Sequence, residues 1–378
     1  MSNKFRERVT LAEIAIVERG KFSVRPRNDP KYYGGIMPFI QTSDVSLSKG
    51  VVSKFSQTLN NEGIKVSKLF PKGSLVITIA ANIGDIAEVD FDFCCPDSLV
   101  VVQPHKSVCK TWLKYFLQTK KQYFKAMATQ NAQANINLQI IKPLEITLPP
   151  LEKQKRIADI LWFWDTAIQK MELLIEKKQK CFRQLQYQLI NGIVFEDSKK
   201  WPSIRLAKIT KKEKGKSVVL NKEKQGIPYI GSDSFSGNFK EYTCSNDIIC
   251  CASEDVLLLW DGENAGKVTT GLTGAVGSTV CVLRINNYAY NEFVFSHLDM
   301  SRVKIRAIRE GSGIPHIPGD FLHWYNLKLP PLETQKKIGC ILKYGRSEIM
   351  LLQSQLEKLK IQKYGLMQQL LTGKIKIK

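Results

Sequence analysis

Apolar residues recur at alternating spacings of four and three residues in two long stretches of the chain. In the first stretch, 157–189, nine of the ten such positions are apolar. The second stretch, 338–370, has two exceptions, Gly345 and Lys363. This spacing is the a/d pattern of a coiled coil, and Lys, Gln and Glu occupy much of the remaining surface. We therefore predict two long helices that pack along an apolar seam.

The two stretches are copies of one sequence, 181 residues apart. The sequence LPPLE at 148–152 returns at 329–333, and ten of the first fourteen aligned positions are identical. A Pro-Pro pair suits the first turn of a helix, because proline lacks the backbone N–H that would be unpaired there. Gly192 and Gly373 stand at the opposite ends, where glycine commonly terminates a helix. An internal repeat predicts a tandem architecture.

The connectivity predicts the direction of the helices. The first helix connects the N-terminal globular region to the second globular region, and the second helix begins where the second region ends. The second helix must therefore run back along the first if the two pair along their length, which makes them antiparallel. Fragments such as GIMPFIQTSD at 35–44 and GIPYIGSD at 226–233 extend the repeat into the globular regions. Apolar runs at 74–80 and 98–103, bounded by turn residues, predict strands. We predict two mixed α/β (α+β) domains at 1–147 and 193–328, two helical spacers at 148–192 and 329–378, and a pseudo-two-fold internal repeat.

The charge of the chain indicates an anionic partner. The net charge is +21, from 56 basic and 35 acidic residues. Residues 98–144 contain no acidic residue but seven lysines, and a basic helix is predicted from about Thr111 to Ala128. Five aromatic residues in this helix are expected to face the core, with the lysines on its solvent face: Trp112, Tyr115, Phe116, Tyr123 and Phe124. Any one of these lysines could simply keep the protein soluble. The acid-free stretch as a whole nevertheless favours contact with phosphate groups.

Other composition features exclude several classes of protein. The chain has no run of eighteen apolar residues and no signal peptide, so we expect a cytoplasmic protein. Nine cysteines without CxxC spacing include the pairs Cys94-Cys95 and Cys250-Cys251, which we expect to be small buried residues rather than metal ligands. A methyltransferase needs a polar side chain before a Pro-Pro pair to hold the amine that it methylates, and LPPL has none. The segment Gly262–Val268 has one residue too few between its glycines for a phosphate-binding loop. We therefore expect neither catalysis nor a metal site in this chain.

The whole chain resembles the specificity subunit of type I restriction-modification systems. The resemblance rests on the two LPPLExQKxI helix openings and on the GI(M)P(F/Y)I…SD segments. It also rests on the loops NIG at 82–84 and DGENAGK at 261–267, and on the sequence NINL at 135–138. It implies two target-recognition domains that each read one half of a split sequence in double-stranded DNA. It also implies two modification (methyltransferase) subunits docked on the helices and two restriction/translocase subunits in the full complex. S-adenosylmethionine, ATP and Mg would then be bound by those partner subunits, and this chain would hold no cofactor.

The candidate DNA contacts lie on the basic helices and on polar loops at matched positions of the two halves. Basic side chains would neutralise phosphates, while loop side chains would contact base edges. The candidates are Gln41, Ser43, Asn82, Lys114, Lys120, Lys121, Lys125, Asn131, Gln133, Ser232, Asn264, Lys267, Arg302, Arg306, Arg309, Ser312 and His316.

The helices carry the candidates for coiled-coil pairing and partner docking. Positions that flank the seam, such as Ile160, Leu174 and Leu189-Ile190, are candidates to pack against helices of a partner protein. Alternatively, these side chains only complete the seam between the chain's own two helices. The seam candidates are Ile157, Leu161, Trp164, Ile168, Met171, Ile175, Leu342, Ile349, Leu352 and Leu356. Gly345 interrupts the second seam, where it could kink the helix or accommodate a neighbouring helix.

Two other classes of function remain open at this stage. A self-contained DNA-modifying enzyme would need catalytic motifs, and it would modify DNA when given S-adenosylmethionine alone. A coiled-coil scaffold protein would have no use for two diverged basic domains, and it would protect no specific DNA sequence.

Overall fold

A computed structural model describes residues 7–129, 135–311 and 313–375 of the chain. The chain divides into two compact units: unit 1 contains the residues up to Lys170 together with those from Leu356 onward, and unit 2 contains Met171–Gln355. Both unit boundaries fall inside the two long helices, α7 (Leu151–Ile190) and α12 (Leu332–Thr372). Each unit therefore contains a segment of both helices.

Unit 1 is built on three sheets. A five-stranded sheet has the order β2-β10-β7-β8-β4, a four-stranded sheet has the order β5-β3-β9-β6, and β1 pairs with β11. The predicted strands at 74–80 and 98–103 are confirmed as β7 and β10, which pair antiparallel. The strands are β1 (Glu7–Thr10), β2 (Ala15–Arg19), β3 (Tyr33–Phe39), β4 (Val51–Val52), β5 (Gln57–Leu59), β6 (Leu69–Phe70), β7 (Leu75–Thr78), β8 (Ile86–Val89), β9 (Phe93–Cys94), β10 (Leu99–Pro104) and β11 (Glu145–Leu148).

The helices of unit 1 pack against its sheets. They are α1 (Leu11–Ile14), α2 (Thr42–Leu47), α3 (Asn61–Lys65), α4 (Lys110–Thr119), α5 (Lys121–Thr129), α6 (Leu138–Ile141) and the first part of α7. The predicted basic helix is thus two helices, α4 and α5, which meet at Lys120. Trp112, Tyr115, Phe116 and Phe124 are buried as predicted. The prediction is wrong for Tyr123, which is 43% exposed because it lies on the outer face of α5.

Unit 2 repeats this arrangement. Its sheets have the orders β13-β20-β17-β18 and β15-β14-β19-β16, and β12 pairs with β21. The strands are β12 (Ser203–Arg205), β13 (Thr210–Lys214), β14 (Ile227–Ile230), β15 (Tyr242–Thr243), β16 (Cys250–Cys251), β17 (Val256–Leu259), β18 (Val268–Thr269), β19 (Gly274–Val276), β20 (Val280–Ile285) and β21 (Asn326–Lys328). The helices are α8 (Leu206–Ile209), α9 (Asn291–Met300), α10 (Arg302–Ala307), α11 (Phe321–Trp324) and segments of α7 and α12.

The matching strand orders confirm the internal repeat. The run β2-β10-β7-β8 in unit 1 corresponds to β13-β20-β17-β18 in unit 2. The second sheet of each unit also contains one parallel pair, β3 with β9 and β14 with β19. Unit 1 adds β4, which pairs parallel with β8. The two domains therefore share one topology with different loops and edges.

The long helices run antiparallel within each unit, as the connectivity predicts. In unit 1, Leu161 shares a core with Leu370, and further along α7 the Asp165 carboxylate accepts a hydrogen bond from Lys363 at 2.5 Å. In unit 2, Lys178 pairs with Glu348 at 2.7 Å, and Leu189 shares a core with Ile338. As residue numbers rise along α7, those of its neighbours on α12 fall.

A buried glutamine joins the first turn of each long helix to its domain. The Gln154 side chain accepts a hydrogen bond from the Cys109 N–H at 2.7 Å and donates one to the Pro149 carbonyl at 2.8 Å. Gln335 accepts from the Tyr290 N–H at 2.8 Å and donates to the Pro330 carbonyl at 2.8 Å. Both glutamines are 1% exposed. Since Cys109 and Tyr290 precede α4 and α9, each glutamine fixes a domain helix to a long helix.

The far ends of α7 and α12 confirm the predicted glycine stops. Gly192 and Gly373 have φ values of 72° and 70°, a left-handed backbone that glycine adopts without strain. The N–H of Gly192 donates to the Leu189 carbonyl, and that of Gly373 donates to the Leu370 carbonyl, both at 3.2 Å. These bonds close the last turn of each helix in the same way.

The cysteine prediction is right at three of four positions. Cys94, Cys95 and Cys251 are buried, and burial raises the pKa of each of these thiols. Cys250 is exposed, because alternate side chains of the short strand β16 point to opposite faces.

Candidate nucleic-acid interface

In unit 1, a glycine loop lies against the basic helix α5. Gly84 in the loop after β7 has a φ of 83°, and a Cβ there would lie 3.2 Å from the Lys121 Cα. This approach is closer than most real Cβ contacts, and the positive φ also favours glycine at this position. Lys121 forms an ion pair with Asp85 of the same loop, while Asn82 stays exposed. The loop and the start of α5 therefore form one surface.

Helix α2 adds a second polar edge to this surface. The Asn82 amide donates to the Ser46 hydroxyl at 3.2 Å, which holds α2 beside the loop. Gln41 stands at the N-terminus of α2, where its backbone N–H donates to Asp44 at 2.7 Å, and Ser43 is exposed. A cleft of about 240 Å³ between α2 and α5 is lined by residues that include Lys49 and Lys121. The predicted contacts Gln41, Ser43 and Asn82 thus lie on neighbouring segments.

The lysines of α4 and α5 differ in their surroundings. Lys125 is exposed on α5, and the Lys120 ammonium lies 5.0 Å from the centre of the Phe116 ring. Lys114 is only 8% exposed, and burial lowers the pKa of its ammonium. The expectation that Lys114 lies on the solvent face is therefore wrong: all residues from Trp112 to Leu117 are buried, because both faces of α4 are covered.

Unit 2 builds the same surface from its own loop and helix. Gly266 has a φ of 93°, and a Cβ there would lie 3.2 Å from Cγ2 of Ile305 on α10. Asn264 is exposed on this loop, and the Lys267 ammonium lies 5.9 Å from the Phe235 ring centre. Phe235 belongs to the short 3-10 helix Ser232–Ser236, whose first residue, Ser232, is exposed.

Basic side chains surround the loop of unit 2. Arg302 and Arg306 are exposed on α10. Arg309 donates to the Glu263 carbonyl at 2.5 Å, which attaches the segment after α10 to the loop. His316 pairs with Glu310 through two backbone hydrogen bonds, and Gly262 donates to the Pro315 carbonyl at 2.8 Å. Glu310, Gly311 and residues 313–317 therefore border the same surface, with His316 half-exposed.

Three predicted contacts fall outside the described residues: Asn131, Gln133 and Ser312. Their flanking segments are nevertheless placed. The Ile136 N–H donates to the Ile79 carbonyl in unit 1, and the Ile317 N–H donates to the Trp260 carbonyl in unit 2. Because these bonds are equivalent in the repeat, Ile136 and Ile317 lie at matching positions of the two domains.

Two lysines of β13 also border the surface of unit 2, and the sequence analysis missed them. The Lys212 ammonium lies 4.1 Å from the Trp260 ring centre, and Lys214 pairs with Asp261 at 2.9 Å. The alternation in 211–216, KKEKGK, is typical of a strand with one basic face, and it was the available signal.

Most of the predicted seam residues are buried. Seven of the ten are at most 9% exposed, while Trp164, Met171 and Leu352 are half-buried. Leu189 and Ile190 are also buried, in the core of unit 2, so they do not form a free flank for a partner. Leu174, another predicted flank position, is 42% exposed, and further exposed apolar side chains of the long helices include Trp162 (60%), Phe163 (68%) and Tyr344 (75%).

Two further features limit the chemistry of the described residues. None of the helices in the described ranges is long and apolar enough to cross a bilayer. Within the same ranges, no group of three or more His, Cys, Asp or Glu side chains is arranged to hold a metal ion.

A family model described as the type I restriction modification DNA specificity domain matches the chain twice, at 5–178 and 198–361. The MjaVIII specificity subunit of a type I restriction enzyme from Methanocaldococcus jannaschii is 32% identical over 180 residues, 46% of this chain and 42% of that subunit. The putative MjaX specificity subunit from the same organism is 28% identical over 305 residues, 74% of this chain and 72% of that protein.

Solved structures show the same fold. The S subunit of a type I restriction-modification system from M. genitalium superposes with a TM-score of 0.65 at 16% identity, over 100% of this chain and 98% of that one. A chain from work on complex assembly and conformational transition of the type I R-M system gives 0.59 at 14% identity, over 98% of both chains.

Proposed function

The chain belongs to the type I restriction-modification DNA specificity family, and on this premise we propose that its two units read the two halves of a split target in double-stranded DNA. The observation that carries the proposal is the repeated surface: in each unit a glycine loop lies against an exposed basic helix, α5 or α10. The loops differ in sequence between the units, at 79–85 and 260–267. Equivalent surfaces with unlike loops are suited to reading unlike half-sites.

Phosphate contact and base contact are assigned to different residues. Arg302 and Arg306 on α10, and Lys125 on α5, would neutralise phosphates without selecting a sequence. Asn82, Asn264 and His316 carry hydrogen-bonding groups that can contact base edges in a groove. Each base pair correctly contacted contributes roughly 1–3 kcal/mol of discrimination, so two domains discriminate far better than one.

The salt dependence of binding separates these roles. Arg302→Ala and Arg306→Ala should each weaken binding to all duplexes alike and reduce the slope of log affinity against log salt by about 0.9, because one phosphate contact is lost. His316→Ala should leave the slope unchanged and relax the preference at one position of the target. Fluorescence anisotropy with labelled duplexes at several salt concentrations measures both effects.

Lys328→Ala is the charge-matched control for that experiment. Lys328 is exposed on β21, which pairs with β12 in a two-stranded sheet. This sheet is separate from the four-stranded sheet that carries the loop beside α10. Its removal should leave the slope unchanged. An equal reduction of the slope by Lys328→Ala would show that net charge, and not the α10 surface, sets the affinity.

We further propose that two modification subunits dock on exposed aromatic residues of the long helices. Phe163 on α7 and Tyr344 on α12 are equivalent in the repeat, and both are largely exposed. Trp162 enlarges the apolar area beside Phe163. Large exposed aromatic residues are uncommon on solvated helices and typical of interface anchors. Equivalent anchors in the two units would hold one partner copy each.

Loss of an anchor should remove one copy of the partner. Trp162→Ala with Phe163→Ala, and separately Tyr344→Ala, should each weaken one docking event at least about tenfold, because aromatic anchors contribute most of an interface's affinity. Analytical ultracentrifugation with the modification subunit measures the stoichiometry. Gln169→Ala, an exposed polar change on α7, is the control. Two bound copies at unchanged affinity in both aromatic variants would contradict the proposal.

The remaining chemistry is assigned to the partners. Under this proposal the modification subunits bind S-adenosylmethionine, and two restriction/translocase subunits bind ATP and Mg. This chain would recognise the target sequence in DNA and provide the docking positions for the partner subunits.

A further inference from the structure

Gly345 on α12 seats an aromatic ring of α7 in unit 2. A Cβ built on Gly345 would lie 2.9 Å from Cδ2 and 3.0 Å from Cε2 of Phe182. Side-chain carbons do not normally approach so closely, so Phe182 occupies space that only glycine leaves open. Gly345 therefore forms a notch in the seam, and Phe182 fills it.

The repeat places a different pair at the equivalent positions of unit 1. Trp164 on α7 corresponds to Gly345, and Lys363 on α12 corresponds to Phe182. Both bulky aromatic residues, Trp164 and Phe182, thus belong to α7, whereas α12 carries the glycine and the flexible lysine. At these positions the two helices are unlike, although most of the other seam positions carry an apolar residue in both helices.

Charged residues beside these positions differ in the same way. Asp165 on α7 accepts hydrogen bonds from Lys363 at 2.5 Å and from the Tyr115 hydroxyl at 2.6 Å. The equivalent residue on α12 is Arg346, which forms an ion pair with Glu292 of α9. If two copies of α12 were paired in the same register, Arg346 would face Lys363, and like charges would repel each other.

The third charged contact follows the same rule. Lys178 on α7 pairs with Glu348 on α12 at 2.7 Å. Their equivalents in the repeat are Leu359 and Ala167, which carry no charge. A pair of α7 helices would place Lys178 opposite Ala167, and it would also place Trp164 opposite Phe182. The Asp165–Lys363 pair, the Lys178–Glu348 pair and the approach of Phe182 to Gly345 therefore favour the unlike pair.

We propose that these positions make the helix pairing selective: α7 recognises α12 and rejects a second copy of itself. The partner that this surface fits is a helix of the α12 type, with a notch opposite Phe182 and a cation opposite Asp165. Because α7 precedes α12 in the chain, its apolar seam is synthesised before its partner. The selectivity keeps that seam from pairing with the α7 of another chain.

A double-mutant cycle in the full chain tests the size matching. Gly345→Trp should lower Tm by roughly 5 °C or more, because the new ring collides with Phe182. Phe182→Lys should also lower Tm, because it empties the notch. The double variant carries the Trp and Lys combination of unit 1, with the two residues exchanged between the helices. We expect its Tm to fall by no more than half of the sum of the two single losses. Met350→Trp, at an exposed position of α12, should leave Tm unchanged. Additive losses in the combined variant would overturn the proposal.

A second measurement tests the selectivity itself. Two forms of the full chain with different affinity tags are co-expressed and purified through one tag. Wild-type chains should purify without each other, whereas chains carrying Trp164→Gly and Phe182→Lys, in which α7 has the small and flexible residues of α12, should purify together, because two such α7 helices no longer clash and Asp165 of one would face the introduced lysine of the other. Wild-type chains that co-purify as readily as this variant would also overturn the proposal.

Discussion

Seven residues inserted into each long helix should lengthen the spacer between the two half-sites by about three base pairs. The insertions follow Lys170 and Gln355, where the chain passes between the two units. Seven residues preserve the heptad phase of the seam and add about 10 Å of helix at 1.5 Å per residue. Since each base pair occupies about 3.4 Å of duplex, the added length corresponds to three steps.

Selection of bound duplexes from a random pool, followed by sequencing, measures this shift. The parent protein and the inserted variant should recover the same two half-sites, because the reading surfaces are unchanged, but with different spacers. An unchanged spacer would show that the length of the paired helices does not determine the separation of the half-sites.

An insertion into α7 alone is the informative control. It moves the seam positions of α7 after the insertion relative to α12, so pairs such as Lys178–Glu348 in unit 2 would no longer align. We expect this variant to lose stability and affinity together. The matched insertion should keep both, which separates an effect of length from an effect of damaged packing.

The features that the sequence predicts correctly are those determined by local pattern. The heptads, the Pro-Pro openings and the glycine stops concern neighbours within one helix, and α7 and α12 have the predicted starts and ends. The repeat then carried the prediction from one half to the other, and the sheet orders agree. Membership of a specificity family confirms the prediction of a non-catalytic recognition subunit.

The features that were missed depend on contacts distant in sequence. Periodicity assigned Lys114 to a solvent face, but the chain folds over both sides of α4 and buries it. Periodicity also treated Gly345 as an interruption, because only the folded unit 2 shows that Phe182 fills the gap. Leu189 and Ile190 were assigned to a flank, yet the domain that follows them encloses both side chains. The individual DNA contacts stay predictions for the same reason.

Replacing either buried glutamine at the helix openings should destabilise its unit severely. Gln335→Leu leaves the Tyr290 N–H and the Pro330 carbonyl without their partner in a site where the glutamine is 1% exposed. Each unpaired buried group costs about 1–3 kcal/mol, so we expect a loss of about 3 kcal/mol and a fall in Tm of roughly 10 °C. Gln154→Leu should act in the same way on the Cys109 N–H and the Pro149 carbonyl in unit 1.

Hydrogen exchange locates the damage and distinguishes it from a general loss of helix. Gln335→Leu should expose amides of α9 and of the first turns of α12, whereas Gln154→Leu should expose those of α4 and the start of α7. Gln353→Leu and Gln169→Leu make the same change at exposed positions of α12 and α7, and they should leave protection unchanged. Equal losses in the control variants would mean that leucine disturbs the helices wherever it is placed. A loss confined to Gln335→Leu and Gln154→Leu would identify the glutamines as the residues that fix each domain to its long helix.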